Sequence, residues 1–268
     1  MGEHLEISRS QTVKLIRQLV KERVPTAAVR FGEGEGRLLT AKSEDDASMK
    51  DAIRKLHKET GLAFSPQATF DVQTLVAEAL ERADISGIRG SRTFSAEHKD
   101  WMDRIGDLYD RLPDLGGRRR YVTHCLFHHD LRQALPSLLH DQPQVTVISC
   151  RDIGPRLESD YGLKAVIHQV PSQYVMRAVD GEYEKRMHSV PIWPEFYRVL
   201  ESKLEAQNEG ELFLVGAGLF GKALCIRIRE LGGIALDMGS VLDQIADKTT
   251  RGRYRPEFWP PPPVHKHV

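Results

Sequence analysis

The stretch Glu211–Asp243, ELFLVGAGLFGKALCIRIRELGGIALDMGSVLD, decides the fold. Leu212 to Val215 are an apolar run, the pattern of a strand buried on both faces. Gly216-Ala217-Gly218-Leu219-Phe220-Gly221 then lets the backbone turn sharply and come close to a ligand. From Ala223 to Leu231 apolar residues recur at helical spacing, and Gly232-Gly233 stop the helix. Ile234 to Leu236 begin a second short strand that ends in Asp237. A helix opening directly after a glycine turn offers backbone N–H groups and the positive end of its dipole, which suits an anion such as phosphate. Lys222 adds a mobile positive charge at the same place.

GxGxxG is matched literally, and Asp237 stands where the ribose-binding acid of a dinucleotide site would be. The position argues against that label. A dinucleotide fold begins with this unit, whereas only about thirty residues follow Asp237 here, so the unit closes a sheet begun earlier. Three readings stay open: a dinucleotide, another phosphate-containing ligand, or a turn whose glycines serve only helix–strand packing.

Upstream the same alternation repeats. Ser8 to Val24 reads as a helix ended by Pro25, and Ala27 to Phe31 as a strand. A helix opens at Ser43-Glu44-Asp45-Asp46 and stops at Gly61, and another spans Ser65 to Ile85. Gly87 to Phe94 is a loop or weak strand carrying Arg89 and Arg92, Ala96 to Leu112 is a helix, and Gly116 to Arg120 is a basic turn. Tyr121 to Phe127 is a buried strand, with His128-His129-Asp130 at its end where a helix to Leu139 begins. Gln144 to Cys150 is the clearest strand, followed by Arg151-Asp152, a helix from Ile153 to Tyr161, and a strand from Ala165 to Val170 that ends at Pro171-Ser172-Gln173. After a polar connection over Asp180 to Pro194, a helix from Glu195 to Ala206 leads into the opening strand above. The order predicts an α/β fold, Rossmann-like, with a mostly parallel sheet and helices on both faces. Residues 1–254 form one domain in this reading, and 255–268, ending PPPPVHKHV, form a Pro-rich tail that is extended or disordered.

Composition narrows the function classes. Lys+Arg and Asp+Glu are both 38, so no global field favours nucleic acid. No apolar run approaches the roughly 20 residues of a membrane-spanning helix, and the N-terminus has no signal-like apolar core. Cys125, Cys150 and Cys225 are widely spaced without zinc-site spacing, which predicts a reduced, cytoplasmic protein. A homo-oligomer is compatible with all of this.

The second informative stretch is Gly32-Glu33-Gly34-Glu35-Gly36-Arg37, read as a glycine turn after a strand. Two carboxylates separated by one glycine can converge on one point, where a divalent cation relieves their repulsion. Arg30 and Arg37 flank them and could serve instead, and a solvated acidic turn is the plain alternative. At the strand ends, His128 and Asp152 are further candidates, because ligands of open α/β sheets bind there.

Together, Arg30-Phe31-Gly32-Glu33-Gly34-Glu35 and the late unit ending Asp237-Met238-Gly239-Ser240 resemble two elements of the GT-D fold glycosyltransferases. These are an RFGDGE motif and a C-terminal strand–Gly–helix–strand with Asp-x-Gly. The resemblance runs from about Val24 to Tyr254. It implies transfer of a sugar from a nucleotide-diphosphate donor to a glycan, glycoprotein or small-molecule acceptor, with a divalent metal, Mn2+ or Mg2+. Carried over, the family's Asp-x-Glu pair becomes Glu33 and Glu35, holding metal and donor, with Glu in this sequence where the family has Asp. The donor would further meet Arg30, Gly32, Gly34, Gly216, Gly218, Gly221, Lys222 and Asp237. Glu33, Asp152 and His128 are the candidate bases, and Glu35 completes the catalytic set. Two alternatives compete: an NAD(P)-binding oxidoreductase using the GAGLFG turn, and a non-catalytic sugar-nucleotide-binding member of the fold.

Overall fold

The computed structural model describes residues 4–41, 47–60, 62–89, 96–112, 119–171, 192–206 and 208–246. The expected helix start at Ser43–Asp46, its stop at Gly61, Arg92, Gly116–Arg118, Ser172-Gln173, most of the 180–194 connection and everything from 247 on, including the Pro-rich tail, lie outside those residues. In chain order the elements are β1 (His4–Glu6), α1 (Arg9–Lys21), β2 (Thr26–Arg30), α2 (Glu33–Leu39), α3 (Ala47–Thr60), α4 (Pro66–Arg82), β3 (Ile85–Arg89), α5 (Ala96–Asp110) and β4 (Arg120–His124). Then come α6 (Phe127–Leu139), β5 (Val145–Ser149), α7 (Gly154–Tyr161), β6 (Ala165–Gln169), α8 (Tyr197–Lys203), β7 (Leu212–Gly216), α9 (Gly221–Glu230), β8 (Ile234–Asp237) and α10 (Val241–Ile245).

The strands form one eight-stranded sheet in the order β1-β4-β3-β2-β8-β7-β5-β6, with every pairing parallel. The four central strands carry apolar residues on both faces, as a doubly covered parallel sheet demands. Ala27, Val29, Phe213, Val215 and Ala235 face one core with α4 and α9, while Ala28, Leu212, Leu214, Ile234 and Leu236 face the other with α1, α6, α7 and α10. The late unit thus closes a sheet begun at β2, since β8 pairs with β2 over Thr26↔Ile234 to Ala28↔Leu236.

Several boundaries differ from the sequence reading. The stretch after β2 is helical. Gly32 caps α2 in an extended conformation, and the Glu35 carboxylate, three residues on, accepts the Gly32 N–H at 2.8 Å. That side-chain cap from Glu35 outweighs the turn propensity of three alternate glycines. The helix expected up to Ile85 stops at Arg82, because Ile85 to Arg89 pair inside the sheet between β2 and β4. Likewise, the strand expected to run to Phe127 ends at His124. The edge strand β1 carries no apolar alternation (His4, Leu5 and Glu6 are all exposed) and forms only by pairing with β4.

Candidate active site

Because all strands run one way, their carboxyl ends share one edge. At that edge the chain leaves β5 outward to β6 through α7 and leaves the adjacent β7 inward to β8 through α9, on opposite faces. A crevice must open where neighbouring connections diverge. A cavity of ≈ 180 Å³ lies there. Its walls are Arg30 and Gly32–Glu35 after β2, Lys55 and Thr60 of α3, Ser149-Cys150 after β5, and Val170-Pro171 after β6. Gly216–Phe220 and Lys222 after β7, with Asp237, Gly239, Ser240 and Asp243 after β8, complete them.

Lys222 and Asp237 form the centre of the site. Lys222 is 2% exposed, with its Nζ 2.5 Å from Asp237 Oδ2 and 3.5 Å from Glu35 Oε1. Asp237, 3% exposed, also accepts the Arg30 backbone N–H at 3.2 Å, and the Arg30 Nε lies 3.8 Å away. Two cations and two carboxylates therefore balance one another in a largely buried cluster at the cavity wall, as buried charges must. Burial alone would raise the Glu35 carboxyl, but the Lys222 ammonium, the Arg30 guanidinium and the Gly32 N–H together outweigh it and hold the group at about 2. Burial would likewise lower Lys222, and the Asp237 and Glu35 carboxylates reverse that and raise it.

Glu35 is thus depressed in the fold relative to its ordinary value of 4.5, so its stabilising contribution is complete above that value and is lost as the pH falls from 4.5 towards about 2. Glu35→Gln is expected to flatten this part of the acid limb. Urea titrations of both proteins across that window check it, and parallel limbs would deny Glu35 its ionic role.

The glycine turn has structural reasons of its own. A Cβ at Gly216 would lie 2.8 Å from Leu242 Cδ1 and 3.2 Å from the Gly239 carbonyl, so β7 and α10 meet there only without a side chain. Gly221 is in similar close contact with Val215, and Gly218 takes a φ of +59°. Gly239, at φ +49°, lets the Arg30 guanidinium lie against it, since a Cβ there would be 3.3 Å from Arg30 Cζ. The Asp-x-Gly of the sequence is thus one device: the acid takes the charge of Arg30 and Lys222, and the glycine makes room for Arg30.

The expected mobile charge at Lys222 is corrected by this geometry, because its ammonium is fixed between two buried carboxylates. Asp237 is equally engaged, which leaves the dinucleotide reading without its ribose acid. His128 is 1% exposed and does not line the cavity; its Nε2 accepts from Arg30 Nη1 at 2.9 Å and so positions Arg30. Asp152 is exposed outside the cavity wall, and its Oδ1 accepts the Gly154 N–H at 3.0 Å to start α7. Arg30, Gly32, Glu33, Gly34, Glu35, Gly216, Gly218, Lys222 and Asp237 all line the cavity, while Gly221 packs behind it.

The geometry does not fit one metal between Glu33 and Glu35. Both sit in the first turn of α2, and helix positions two apart do not face each other. Glu33 turns to Arg37, 2.6 Å from its Nη2, while Glu35 turns inward to Gly32 and Lys222. Among the described residues no group of three or more His, Cys, Asp or Glu is placed to hold an ion.

The sequence reading missed the Arg151–Asp243 pair. Arg151, 1% exposed at the end of β5, gives its Nε to Asp243 Oδ1 at 2.9 Å, and Asp243 lines the cavity from α10. The available signal was a charge at the end of an apolar strand, which must find a partner once buried.

A polar cavity at the carboxyl edge of a parallel sheet stands where open α/β folds take their ligands. No family model and no curated protein matches the chain. Two solved structures share its fold. One is a selenomethionine-substituted structure of domain of unknown function 1792, and the other presents that highly conserved domain as having a distinct glycosyltransferase fold. Each aligns with a TM-score of 0.51 and 14% identity over 92% of this chain and 81% of the other. The structural neighbours are thus those the RFGEGE and Asp-x-Gly stretches pointed to, and at this identity the likeness establishes the fold. Among the described residues no helix is long and apolar enough to cross a membrane.

Proposed function

We propose that the protein is a glycosyltransferase that moves a sugar from a nucleotide-diphosphate donor to an acceptor hydroxyl. The observation that carries this reading is the position of the cavity: it opens at the carboxyl edge of a sheet shared over 92% of the chain with a domain described as having a glycosyltransferase fold. In such a transfer the acceptor oxygen bonds to the anomeric carbon, the bond from that carbon to the diphosphate breaks, and the leaving diphosphate keeps the electron pair. The protein must therefore meet negative charge on phosphate oxygens. The first N–H groups of α9 close on the turn itself, Gly221 on Ala217 and Gly218, and Lys222 on Leu219. The diphosphate accordingly lies against the Gly218–Phe220 backbone at the positive end of the α9 dipole. The buried Lys222 and the partly exposed Arg30 charges stand behind it.

The proton of the acceptor hydroxyl needs a base. Of the three candidates Glu33 lines the cavity, whereas Asp152 and His128 do not, so Glu33 takes that role. The three buried cysteines form no disulfide, which suits a reducing compartment such as the cytoplasm.

The test is a thermal-shift screen against UDP-, GDP- and dTDP-sugars and NAD(P), followed by turnover assays with the donor that binds. A rise in melting temperature with one sugar nucleotide is the expected result. A rise with NAD(P) alone would reinstate the dinucleotide reading, and binding without turnover would leave a sugar-nucleotide-binding protein.

A further inference from the structure

Lys222 Nζ lies within 3.5 Å of one oxygen from each of two buried carboxylates, Asp237 and Glu35. Carboxylates presented this way to a nucleotide-diphosphate cleft are the ordinary ligands of a divalent ion, at oxygen distances of about 2.0–2.6 Å. Here the point between them is filled by a nitrogen of the chain. The charge count agrees with the geometry. Lys222 and Arg30 already balance Glu35 and Asp237, so a divalent ion added to this largely buried cluster would leave two positive charges that none of its carboxylates compensates. Glu33 does not join this cluster, because it turns to Arg37, which at the same time holds Asp51 at 2.6 Å.

We infer that this chain carries its own cation: the Lys222 ammonium occupies the position between Glu35 and Asp237 and takes the place of a divalent ion there. The occupancy stands on the geometry alone. Its consequence, that a nucleoside diphosphate binds without metal, rests on the transferase reading.

Mn2+ by itself is the probe for the occupancy, with chelator-treated full-length protein, followed by electron paramagnetic resonance of the free ion and by melting temperature. The wild-type protein is expected to bind no Mn2+ tighter than about millimolar and to shift by less than about 1 °C at about 1 mM Mn2+. Lys222→Ala vacates the position between the two carboxylates, so it is expected to gain Mn2+ binding and to rise by roughly 4 °C or more. The gain disappears in the Lys222→Ala, Glu35→Gln double variant. Tight Mn2+ binding by the wild type that Glu35→Gln abolishes overturns the inference, and so does a folded Lys222→Ala protein indifferent to Mn2+. If Lys222→Ala does not fold, the wild-type and Glu35→Gln titrations decide alone.

UDP, GDP and dTDP in the presence of chelator test the consequence. A shift that Mn2+ leaves unchanged supports metal-free binding. A shift that requires Mn2+ overturns the inference and keeps the transferase reading. No shift with any nucleotide or sugar nucleotide, with or without Mn2+, removes the transferase reading and leaves the Mn2+ titrations to judge the ammonium.

Discussion

Lys222→Met is expected to destabilise the protein by about 3–5 kcal/mol, the range for a buried ion pair broken from one side. The substitution keeps an unbranched stem in the space of the old one and removes the charge together with the hydrogen bond to Asp237. Asp237 and Glu35, 3% and 8% exposed, then lose their nearest cation. Arg30, 3.8 Å from Asp237 at its Nε, compensates in part. At roughly 2–4 °C per kcal/mol for a chain of this size, the melting temperature should fall by roughly 6–20 °C.

The pH dependence separates this cause from simple mispacking. Without the ammonium the buried Glu35 carboxylate loses the main charge that offsets its burial and holds its proton more tightly, so the variant's deficit narrows as the pH falls. The wild type moves the other way, losing the Glu35 contribution between pH 4.5 and about 2. Urea titrations of both proteins at neutral pH and near pH 5 measure it. A deficit that is the same at both, or absent, would show that the ammonium is not the counter-ion of this pair.

Glu33→Gln is the second large effect, now on turnover. Losing a general base typically costs 10²–10⁴-fold, and kcat is expected to fall by about that much with the donor KM little changed. The reason is placement: Glu33 stands at the wall of the cavity in the first turn of α2, with its side chain 29% exposed. Asp152→Asn is the control. Its side chain serves the start of α7 outside the cavity, and asparagine keeps that hydrogen bond, so kcat should stay within about twofold. A normal kcat for Glu33→Gln together with a large loss for Asp152→Asn would move the acceptor to the β5 end of the sheet.

Much of the fold was legible because its signals are local. The runs Gln144–Cys150 and Leu212–Val215 are apolar enough to require burial on both faces, and the GAGLFG turn and Gly232-Gly233 punctuate the last unit without reference to anything else. What depended on distant partners was misjudged. Ser65–Ile85 reads as a helix and Gly87–Phe94 as a loop or weak strand, but Ile85 to Arg89 form a strand because β2 and β4 flank them. Gly32–Arg37 reads as a turn although its signal is local: Glu35, three residues on, closes back on Gly32 and starts a helix.

The site divides the same way. Sequence spacing alone singled out two glycine-punctuated strand ends, at Arg30–Glu35 and at Gly216–Asp237, whose residues line the cavity, and predicted a mostly parallel sheet. Only the tertiary structure decided what their charges do. It sets β8 beside β2, which brings together Lys222, Asp237 and Glu35, residues up to 202 positions apart. A side chain's charge is written in the sequence, but its partner is set by which strands pair, and in a buried cluster the partner decides whether a lysine meets a ligand or holds the site together.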